Sequence, residues 1–393
     1  MNYHLIGIGG VGMSALATLL LRQGHSVSGS DRNIFSPNVE SLRARGIAIF
    51  PDDGSGIDDN VDEVVVSTAI ESGNPAFLAA KEKGKRIVHR ASALSNALSA
   101  KKLVAVAGTC GKSSVTALLG HILAECGMDP LCVNGANVVG WDGAVRFGDG
   151  DYAVAEVDES DKSLVSFKPY AAIITNASAD HYSKEEMDEV FDVFIKDVPG
   201  PVIDARGEIY AADEFTEQNE SLAVRMAVRL GCSEEAALKA VRSFSGVERR
   251  LQRYGSKVYD DYAHNPEKLR SMIATLKKRH GGPICVIWRP HGYGPLKKML
   301  AELSAVFGEN LSSSDKLLLL PVYDAGGTAD RSINVEALQK ALPAGLAEIV
   351  ATHEEALFWC KENGGGFSAI VTAGARDVFL PKLAAAVADA IEV

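Results

Sequence analysis

The sequence contains no apolar run that approaches the roughly 20 residues needed to cross a membrane. Glycines interrupt the apolar segment 4–21, and no basic stretch precedes it, so the pattern of a secretory signal is missing. The six cysteines are scattered, without a CxxC pair and without a histidine at zinc-finger spacing, which favours free thiols in a reducing compartment. These absences predict a cytoplasmic protein that has no membrane partner.

Positive charge is in deficit, since 40 Lys and Arg residues face 51 Asp and Glu residues, which gives a formal net charge of -11. A surface of this sign repels phosphate backbones, so nucleic acid is not an expected partner. The field inside a cleft depends on the groups that line it, so a nucleotide remains a candidate ligand. The length of 393 residues predicts two or three domains of about 150 residues each.

Short β-like runs alternate with amphipathic helical stretches along the whole chain, which is the pattern of parallel βαβ units. The alternation restarts at the strand KLVAVAG, and again after the polar and basic stretch Gly246–Tyr254, which we interpret as a hinge or linker. The sequence therefore predicts an α/β fold with three domains, each built on a mostly parallel sheet. Their expected ranges are residues 1–100, 101–250 and 251–393.

The first glycine-rich turn, Gly7-Ile8-Gly9-Gly10-Val11-Gly12, matches GxGxxG between a predicted strand and a predicted helix. Its glycines allow a tight turn and a close approach of the backbone, so that the helix N-terminus can receive a phosphate. Asp31 ends the next strand, where an NAD-binding domain holds a ribose hydroxyl. The alternative is a tight turn whose glycines serve packing. We favour a bound nucleotide, and the ligand-binding candidates are Gly9, Gly10, Val11, Gly12 and Asp31.

The second glycine-rich turn, Gly108-Thr109-Cys110-Gly111-Lys112-Ser113-Ser114, also lies between a predicted strand and a predicted helix. Val106 occupies the place of the first glycine of GxxxxGK[ST], but a turn that delivers lysine and serine to a helix start still forms a phosphate cradle. Lys112 is expected to neutralise phosphates, and Ser113 or Ser114 to bind Mg²⁺. The motif therefore predicts an ATP site, and a chance GKS is the alternative.

Acidic and polar side chains follow two further predicted strands of the second domain. The carboxyl edge of an α/β sheet is where ligands bind, and hard oxygen ligands suit magnesium beside a triphosphate. Glu156, directly at a strand end, is the best metal candidate, whereas the acids after it are each expected to belong to a solvated loop. The two strand ends carry Glu156, Asp158, Glu159 and Asp161, and Asn176, Asp180 and His181.

Two polar segments mark the start of the third domain. Arg249-Arg250 can stabilise charge that develops on a transferring phosphate. The segment Asp260-Asp261-Tyr262-Ala263-His264-Asn265-Pro266 offers acid, amide and imidazole groups to a nucleotide or a substrate. The alternatives are a basic linker and a helix N-cap ahead of Pro266.

The order of these motifs resembles the Mur ligase family. The matching segments run through nearly the whole chain: GIGGVGMSALA, GTCGKSS, EVDESD, TNASADH, GVERR, DDYAHNP and RPH. The resemblance implies an N-terminal Rossmann-like domain that holds a UDP-sugar, a central P-loop domain that binds ATP, and a C-terminal Rossmann-like domain that carries the incoming amino acid or peptide. It implies a ligase of peptidoglycan synthesis that uses ATP and Mg²⁺ to phosphorylate a carboxylate, whose acyl phosphate an amine then attacks.

The resemblance also implies roles for single residues. The implied catalytic residues are Lys112, His181 and Arg250, and the implied magnesium ligands are Ser113, Glu156 and His181. The implied nucleotide-binding residues are Gly108, Thr109, Gly111, Lys112, Ser113, Ser114, Asn219, Arg250 and Asp261, and the further substrate-binding candidates are Arg90, His264, His291 and Arg376.

The central domain departs from the family pattern in two places. Cys110 stands where the nearest relatives have histidine, and Phe215-Thr216 replaces the first two residues of the HNxxN element near adenine. The stretch 198–217 is shorter than the corresponding part of the family, which predicts that several strands are missing.

The third domain departs from the pattern after Pro290-His291. Gly292 and Pro295 stand in a segment where members that add alanine continue with arginines. Neither residue can bind a carboxylate through its side chain, so we expect Lys297 or Arg376 to do so.

We expect an ATP-dependent, ADP-forming ligase that joins an acid to an amine other than L-alanine. One alternative is a genuine alanine-adding ligase whose site is rebuilt by His291, Tyr293 and Lys297. A second alternative is a degenerate nucleotide-binding or regulatory protein without ligase activity. A third, a dinucleotide-dependent oxidoreductase, leaves GTCGKSS and the acidic strand ends unexplained.

Overall fold

The computed structural model of the chain describes residues 1–159, 163–177, 184–208, 211, 215–324 and 330–391. Strands of the described residues form three sheets with helices between successive strands, so the predicted α/β class is confirmed. All six cysteines are free thiols, as expected. Within the described ranges, no helix combines the length and the apolar character needed to span a bilayer.

The first sheet lies in the N-terminal part of the chain and is entirely parallel. Its strands are β1 (Asn2–Ile6), β2 (Ser26–Asp31), β3 (Ala48–Pro51), β4 (Glu63–Val66) and β5 (Arg86–His89), and its helices are α1 (Val11–Arg22), α2 (Pro37–Ala44), α3 (Pro75–Glu82) and α4 (Arg90–Leu98). The strand order β3-β2-β1-β4-β5 reverses between β1 and β4. Such a reversal opens a crevice at the carboxyl ends of these two strands, beside the turn that follows β1.

Helix starts in this domain follow capping signals in the sequence. Ser36 and Asn74 precede Pro37 and Pro75, and each side chain accepts a hydrogen bond from the backbone N–H three residues on. These caps satisfy a donor that the first helical turn leaves open. Gly10, which precedes α1, provides no such cap. The first N–H groups of α1 therefore need an acceptor from outside the helix.

The second sheet is parallel except at one edge. Its strands are β6 (Lys102–Ala107), β7 (Leu131–Val133), β8 (Val145–Arg146), β9 (Tyr152–Glu156), β10 (Ala171–Ile174) and β11 (Val202–Asp204), and its helices are α5 (Lys112–Glu125), α6 (Lys184–Ile195), α7 (Phe215–Arg229) and α8 (Glu234–Ser243). In the order β11-β10-β6-β9-β7-β8, only β8 is antiparallel to its neighbour. The strand β6 is flanked by β9 and β10, so the ends of all three strands lie side by side.

Helix α5 lies close to its neighbours at Gly120. A Cβ atom at this position would lie 2.6 Å from the sulfur of Cys132 and 3.2 Å from Cη2 of Trp141. Glycine in a helix interior costs about 1 kcal/mol relative to alanine. Glycine is found here despite this cost because a larger residue would force α5 away from Cys132 and Trp141.

The third sheet, like the second, has six strands. Its strands are β12 (Gln252–Tyr254), β13 (Val258–Asp261), β14 (Ile284–Trp288), β15 (Lys316–Leu319), β16 (Ala347–Ile349) and β17 (Ala369–Ala373), and its helices are α9 (Pro266–His280), α10 (Tyr293–Asn310), α11 (Val335–Lys340), α12 (His353–Asn363) and α13 (Leu380–Ile391). The order is β12-β13-β17-β14-β15-β16. Every residue of β14 is buried, and alternate residues belong to two hydrophobic clusters, because helices cover both faces of the sheet.

Two compact units divide the chain. The first contains Met1–Ile209 and Asn219–Val247 with the first two sheets, and the second contains Tyr210–Gln218 and Glu248–Val393 with the third sheet. The division between Val247 and Glu248 falls within the predicted linker, whereas the boundary expected near residue 100 stays a prediction.

The predicted linker Gly246–Tyr254 is only partly irregular. Its last three residues form β12, which pairs antiparallel with β13, so the expectation of a linker as far as Tyr254 is wrong. Arg249 at φ 58° and Leu251 at φ 46° adopt left-handed backbone conformations that turn the chain. This turn allows the polar residues to add an edge strand to the third sheet.

Asp315 connects three segments of the second unit. Its carboxylate accepts hydrogen bonds from Lys277 Nζ at 2.7 Å, from the Ile284 N–H at 2.8 Å and from the N–H and hydroxyl of Ser312 at 2.6 and 2.7 Å. Burial alone would raise the pKa of Asp315, but these hydrogen bonds outweigh burial and lower the pKa. The ionised form therefore contributes to the stability of the fold.

We expect Asp315→Ala to destabilise the protein by about 3 kcal/mol, because it leaves a lysine and two backbone N–H groups without their acceptor. Since the folded-state pKa lies below the unfolded value of about 3.9, the contribution is fully present above that pH and disappears as the pH falls through the folded-state pKa. Urea unfolding at pH 7 and at lower pH measures both effects. The exposed pair of Asp330 with Lys297 provides the control: Asp330→Ala should leave the stability nearly unchanged. Equal effects of the two substitutions would contradict this role of Asp315.

Candidate functional site

The turn between β6 and α5 exposes the start of a helix. Gly108 has φ 127° and Gly111 has φ 84°, conformations that side chains rarely adopt. A Cβ atom at Gly108 would lie 2.2 Å from Thr175 Oγ1, so a larger residue does not fit. Gly111 precedes α5 without a side-chain cap. The N–H groups and the positive end of this helix are therefore arranged to bind an anion.

Asn176, just beyond β10, clamps this turn. Thr109 Oγ1 and the Cys110 N–H donate to Asn176 Oδ1 at 2.6 and 2.9 Å, and Asn176 Nδ2 donates to the Cys110 carbonyl at 3.0 Å. Thr175 Oγ1 donates to the same carbonyl at 2.6 Å. The sequence identified Asn176 only as a polar strand end, and its role as a clamp emerges from contacts across more than 60 residues.

Lys112 begins α5 and forms a buried ion pair. Its ammonium lies 3.0 and 2.9 Å from the two carboxylate oxygens of Glu159, and it also donates to the Gly108 carbonyl at 2.7 Å. Burial alone would lower the pKa of Lys112, but Glu159 and Glu156 outweigh it and raise the pKa. Burial has the larger effect on Glu159, whose pKa is raised despite its lysine partner.

Glu159 corrects one prediction from the sequence. We expected it to belong to a solvated acidic loop, but the residue is only 5% exposed and contacts Lys112. The physical reason is that β9 lies beside β6, so the segment after β9 passes close to the glycine-rich turn. The sequence feature that could have pointed to this site is the group of acidic residues directly after an apolar strand. Asp161 and Asp180 lie outside the described residues.

Two of the three proposed magnesium ligands, Glu156 and Ser113, lie in described parts of the second sheet and its helix α5. Glu156 ends β9, and its Oε2 accepts the Gly135 N–H at 2.8 Å. Ser113 is buried in the first turn of α5, and Ser114 follows it half-buried. Carboxylate and hydroxyl oxygens are hard ligands that fit Mg²⁺ when phosphate and water complete its coordination. His181 lies outside the described residues, and among those described no three His, Cys, Asp or Glu side chains form a metal-binding group.

Asn219 is buried close to the start of α7. It belongs to the same unit as the glycine-rich turn. Its implied contact with a nucleotide stays a prediction.

The turn after β1 is held by Asp31. The two carboxylate oxygens accept the N–H groups of Gly9 and Asn33, each at 2.9 Å. Arg90 covers the start of α1, because a Cβ atom at Gly12 would lie 3.1 Å from its Nη1. Gly10 and Val11 belong to the same helix start. A helix N-terminus beside a guanidinium suits a phosphate, whereas one oxygen of Asp31 holds this turn and the other holds the segment after β2.

A row of cations and aromatic rings lies beyond the strand ends of the third sheet. The guanidinium carbon of Arg250 lies 5.1 Å from the Tyr262 ring centre, and the Tyr262 ring lies 5.5 Å from that of His264. The His264 and His291 rings are 4.8 Å apart. A Cβ atom at Gly292 would lie 3.9 Å from Nη1 of Arg376. The structure therefore brings four predicted substrate or phosphate residues together, namely Arg250, His264, His291 and Arg376.

The two histidines of this row are neutral at pH 7. Burial, assisted by the charge of Lys268, lowers the pKa of His264 to about 4. Burial and the charges of Arg376 and Lys268 lower the pKa of His291. No salt bridge joins Arg376 or Lys268 to an acidic side chain in the described ranges. The row thus presents positive charge to an anion.

Three further candidate residues of the third domain form hydrogen bonds or ion pairs within the protein, namely Asp261, Arg249 and Lys297. Asp261 accepts the N–H groups of Leu251 and Ala263 at 2.7 and 2.8 Å. Arg249 pairs with Asp260 at 3.0 Å and donates to the Gly374 and Ala375 carbonyls. Lys297 pairs with Asp330 at 2.9 Å, where both side chains are exposed. Of the two predicted carboxylate-binding candidates, Arg376 is the one that reaches Gly292.

Two family models match the chain. The model described as "Mur ligase family, catalytic domain" matches residues 2–102, and the model described as "Mur ligase, glutamate ligase domain" matches residues 249–376.

Curated relatives match nearly the full length of the chain. A UDP-N-acetylmuramate–L-alanine ligase of Agrobacterium fabrum is 30% identical over 429 residues, which cover 92% of this chain and 89% of the relative. The corresponding enzyme of Burkholderia ambifaria is 33% identical over 412 residues, which cover 87% of each chain. These alignments are longer than the chain itself, so the relatives contain residues that this chain lacks. That the missing residues lie in the stretch 198–217 stays a prediction.

Solved structures share the fold. A UDP-N-acetylmuramate-alanine ligase of Thermotoga maritima has a TM-score of 0.78 at 24% identity and covers 100% of this chain and 98% of its own. A murein peptide ligase of Psychrobacter arcticus has a TM-score of 0.68 at 21% identity, with 99% of each chain covered. The three-domain α/β fold predicted from the sequence is confirmed.

Proposed function

Because the chain belongs to the Mur ligase family, we propose that it activates a carboxylate with ATP at the turn between β6 and α5 and joins it to an amine. As a member of this family, the protein is an ATP-dependent, amide-bond-forming ligase. The observation that carries the ATP site is the clamped glycine-rich turn, which combines an open helix start with the buried cation of Lys112. The similarity to UDP-N-acetylmuramate ligases supports a role in peptidoglycan synthesis. The use of ATP supports a cytoplasmic location, where ATP is available.

The reaction transfers the γ-phosphoryl group of ATP to the substrate carboxylate and releases ADP. The amine then attacks the acyl phosphate, which gives the amide and inorganic phosphate. Backbone N–H groups of the turn and the ammonium of Lys112 bind phosphate oxygens and stabilise the charge that develops on them. Ser113 and Glu156 would hold magnesium, which screens the charge between phosphate oxygens when bound.

Lys112→Ala should lower the rate of ADP release at least about 100-fold, because it removes the cation that stabilises the transferring phosphoryl group. The assay measures ADP release with a panel of UDP-sugars and amino acids. Lys102→Ala is the matched control, since this exposed lysine begins β6 at the opposite edge of the sheet. ADP release that depends on the presence of both an acid and an amine would support ligase activity.

Two outcomes of this assay would contradict the assignment. Unchanged ADP release by folded Lys112→Ala protein would remove Lys112 from the ATP site. Binding of ATP without turnover of any acid and amine would favour the degenerate nucleotide-binding protein.

We propose that the acid substrate is a UDP-sugar bound at the turn after β1. The support is the open start of α1 with Arg90 beside it, together with the UDP-N-acetylmuramate in the names of the relatives. The NAD interpretation needs a contact between Asp31 and a ribose hydroxyl. Both oxygens of Asp31 instead accept backbone N–H groups, which disfavours that contact.

Arg90→Ala should weaken the binding of UDP-N-acetylmuramate about tenfold, because a charge-assisted hydrogen bond to phosphate is lost. Titration calorimetry measures this affinity. Arg22→Ala, at the opposite end of α1, is the control and should bind normally. Tight binding of NADH by the wild type, with no binding of any UDP-sugar, would contradict the proposal.

We propose that Arg376 binds the carboxylate of the amine substrate. Gly292 has no side chain, and a Cβ atom there would lie in van der Waals contact, 3.9 Å from Nη1 of Arg376. The neutral His264 and His291 can donate hydrogen bonds without adding charge. Arg376 follows β17, whereas the arginines implied by the family would follow Pro290-His291 after β14. An amine other than L-alanine is therefore expected.

Arg376→Ala should raise the KM for the amine about tenfold or more and change kcat less, because it removes binding rather than phosphoryl transfer. Steady-state ADP release with the best amine in the panel measures both constants. Arg270→Ala, an exposed arginine on α9, is the control.

The wild type should turn over UDP-N-acetylmuramate with L-alanine weakly or not at all, and another acid and amine pair faster. Robust alanine-dependent ADP release would favour the genuine alanine ligase, whose site would then be rebuilt by His291, Tyr293 and Lys297.

A further inference from the structure

The ammonium of Lys112 is held by neighbouring groups within the protein. It donates hydrogen bonds to Glu159 Oε1 at 3.0 Å and to the Gly108 carbonyl at 2.7 Å, and it lies 2.9 Å from Glu159 Oε2. The side chains of Lys112 and Glu159 are only 14% and 7% exposed. The pair is therefore shielded from water and cannot be treated as a loose surface contact.

A phosphate at the glycine-rich turn competes with this arrangement. Its oxygens need donors from Lys112, and its negative charge is repelled by the carboxylate of Glu159 at short range in a poorly hydrated site. Phosphate binding must consequently weaken the contact between Lys112 and Glu159.

A lysine without this carboxylate would be a buried, unpaired cation. Breaking a buried pair by removing one partner is costly, because the remaining charge is left without compensation. Glu159 thus keeps Lys112 charged and in a fixed place before nucleotide arrives. The same contact makes the nucleotide bind less tightly.

We propose that Glu159 is a positioning residue that holds the ammonium of Lys112 in the nucleotide-free enzyme and releases it to phosphate, which sets the affinity for nucleotide. This inference rests on the proposed ATP site at the turn between β6 and α5. It assigns to Glu159 a function beyond stability, because the carboxylate and the phosphate share one cation.

The decisive variant is Glu159→Gln, which keeps the shape of the side chain and removes its charge. We expect it to bind ADP about tenfold more tightly than the wild type in titration calorimetry without magnesium, since the competing charge is gone. In steady-state assays, the KM for ATP should fall while kcat changes less. Glu159→Asp keeps the charge on a shorter side chain, so its affinity should lie between those of Glu159→Gln and the wild type.

Two controls separate a local effect from a general one. Asp151→Asn removes an exposed acid at the other end of β9 and should leave the affinity for ADP unchanged. Combining Glu159→Gln with Lys112→Ala should abolish the gain, because the gain requires the freed ammonium.

The outcomes distinguish this inference from the proposed function. Wild-type protein that binds no ADP or ATP would overturn the ATP site itself. Wild-type protein that binds ADP, with unchanged affinity in Glu159→Gln and Glu159→Asp but a lower melting temperature, would overturn the positioning role and leave a purely structural ion pair. If Glu159→Gln does not fold, an affinity of Glu159→Asp equal to that of the wild type would overturn the positioning role in the same way.

Discussion

The side chain of Asn176 holds the glycine-rich turn between β6 and α5 in the shape that opens the helix start. Glycine loses more conformational freedom on folding than any other residue, so a turn with Gly108 and Gly111 needs outside contacts to stay in one conformation. Asn176 supplies them from the end of a neighbouring strand, which is a rigid part of the sheet. The position of Lys112, and through it the contact with Glu159, follows from this clamp.

The first and third sheets use a carboxylate for a similar purpose. Asp31 ends β2 and Asp261 ends β13, and each accepts two backbone N–H groups from the segments beside it. A strand-end aspartate is readily interpreted as a ligand for a ribose or a nucleotide. Here its oxygens fix the shape of a turn, and the cations Arg90 and Arg250 lie nearby as candidate ligands for an anion.

The sequence predicts the fold and the cradle well because both depend on local patterns. The alternation of strands and helices and the glycines of both turns can be found without knowing any long-range contact. Glu159 was predicted incorrectly because its burial depends on β9 lying beside β6, and sequence spacing alone does not give strand order. The edge strand β12 was missed because its three polar residues carry no alternation of apolar and polar positions. The approach of Arg376 to Gly292 joins residues more than 80 positions apart and has no local signal.

Gly120 lies in the middle of α5, two turns from Lys112 and without contact to any ligand-binding candidate. Its missing side chain lets the helix rest against Cys132 and Trp141. Any other residue at Gly120 adds a side chain that collides with Cys132, so α5 must move or its neighbours must give way, and α5 carries Lys112 and Ser113 on its first turn. Substitution of Gly120 is therefore expected to disturb the turn from a position that no inspection of the site would identify. An enzyme inactivated there would keep every functional residue in its sequence.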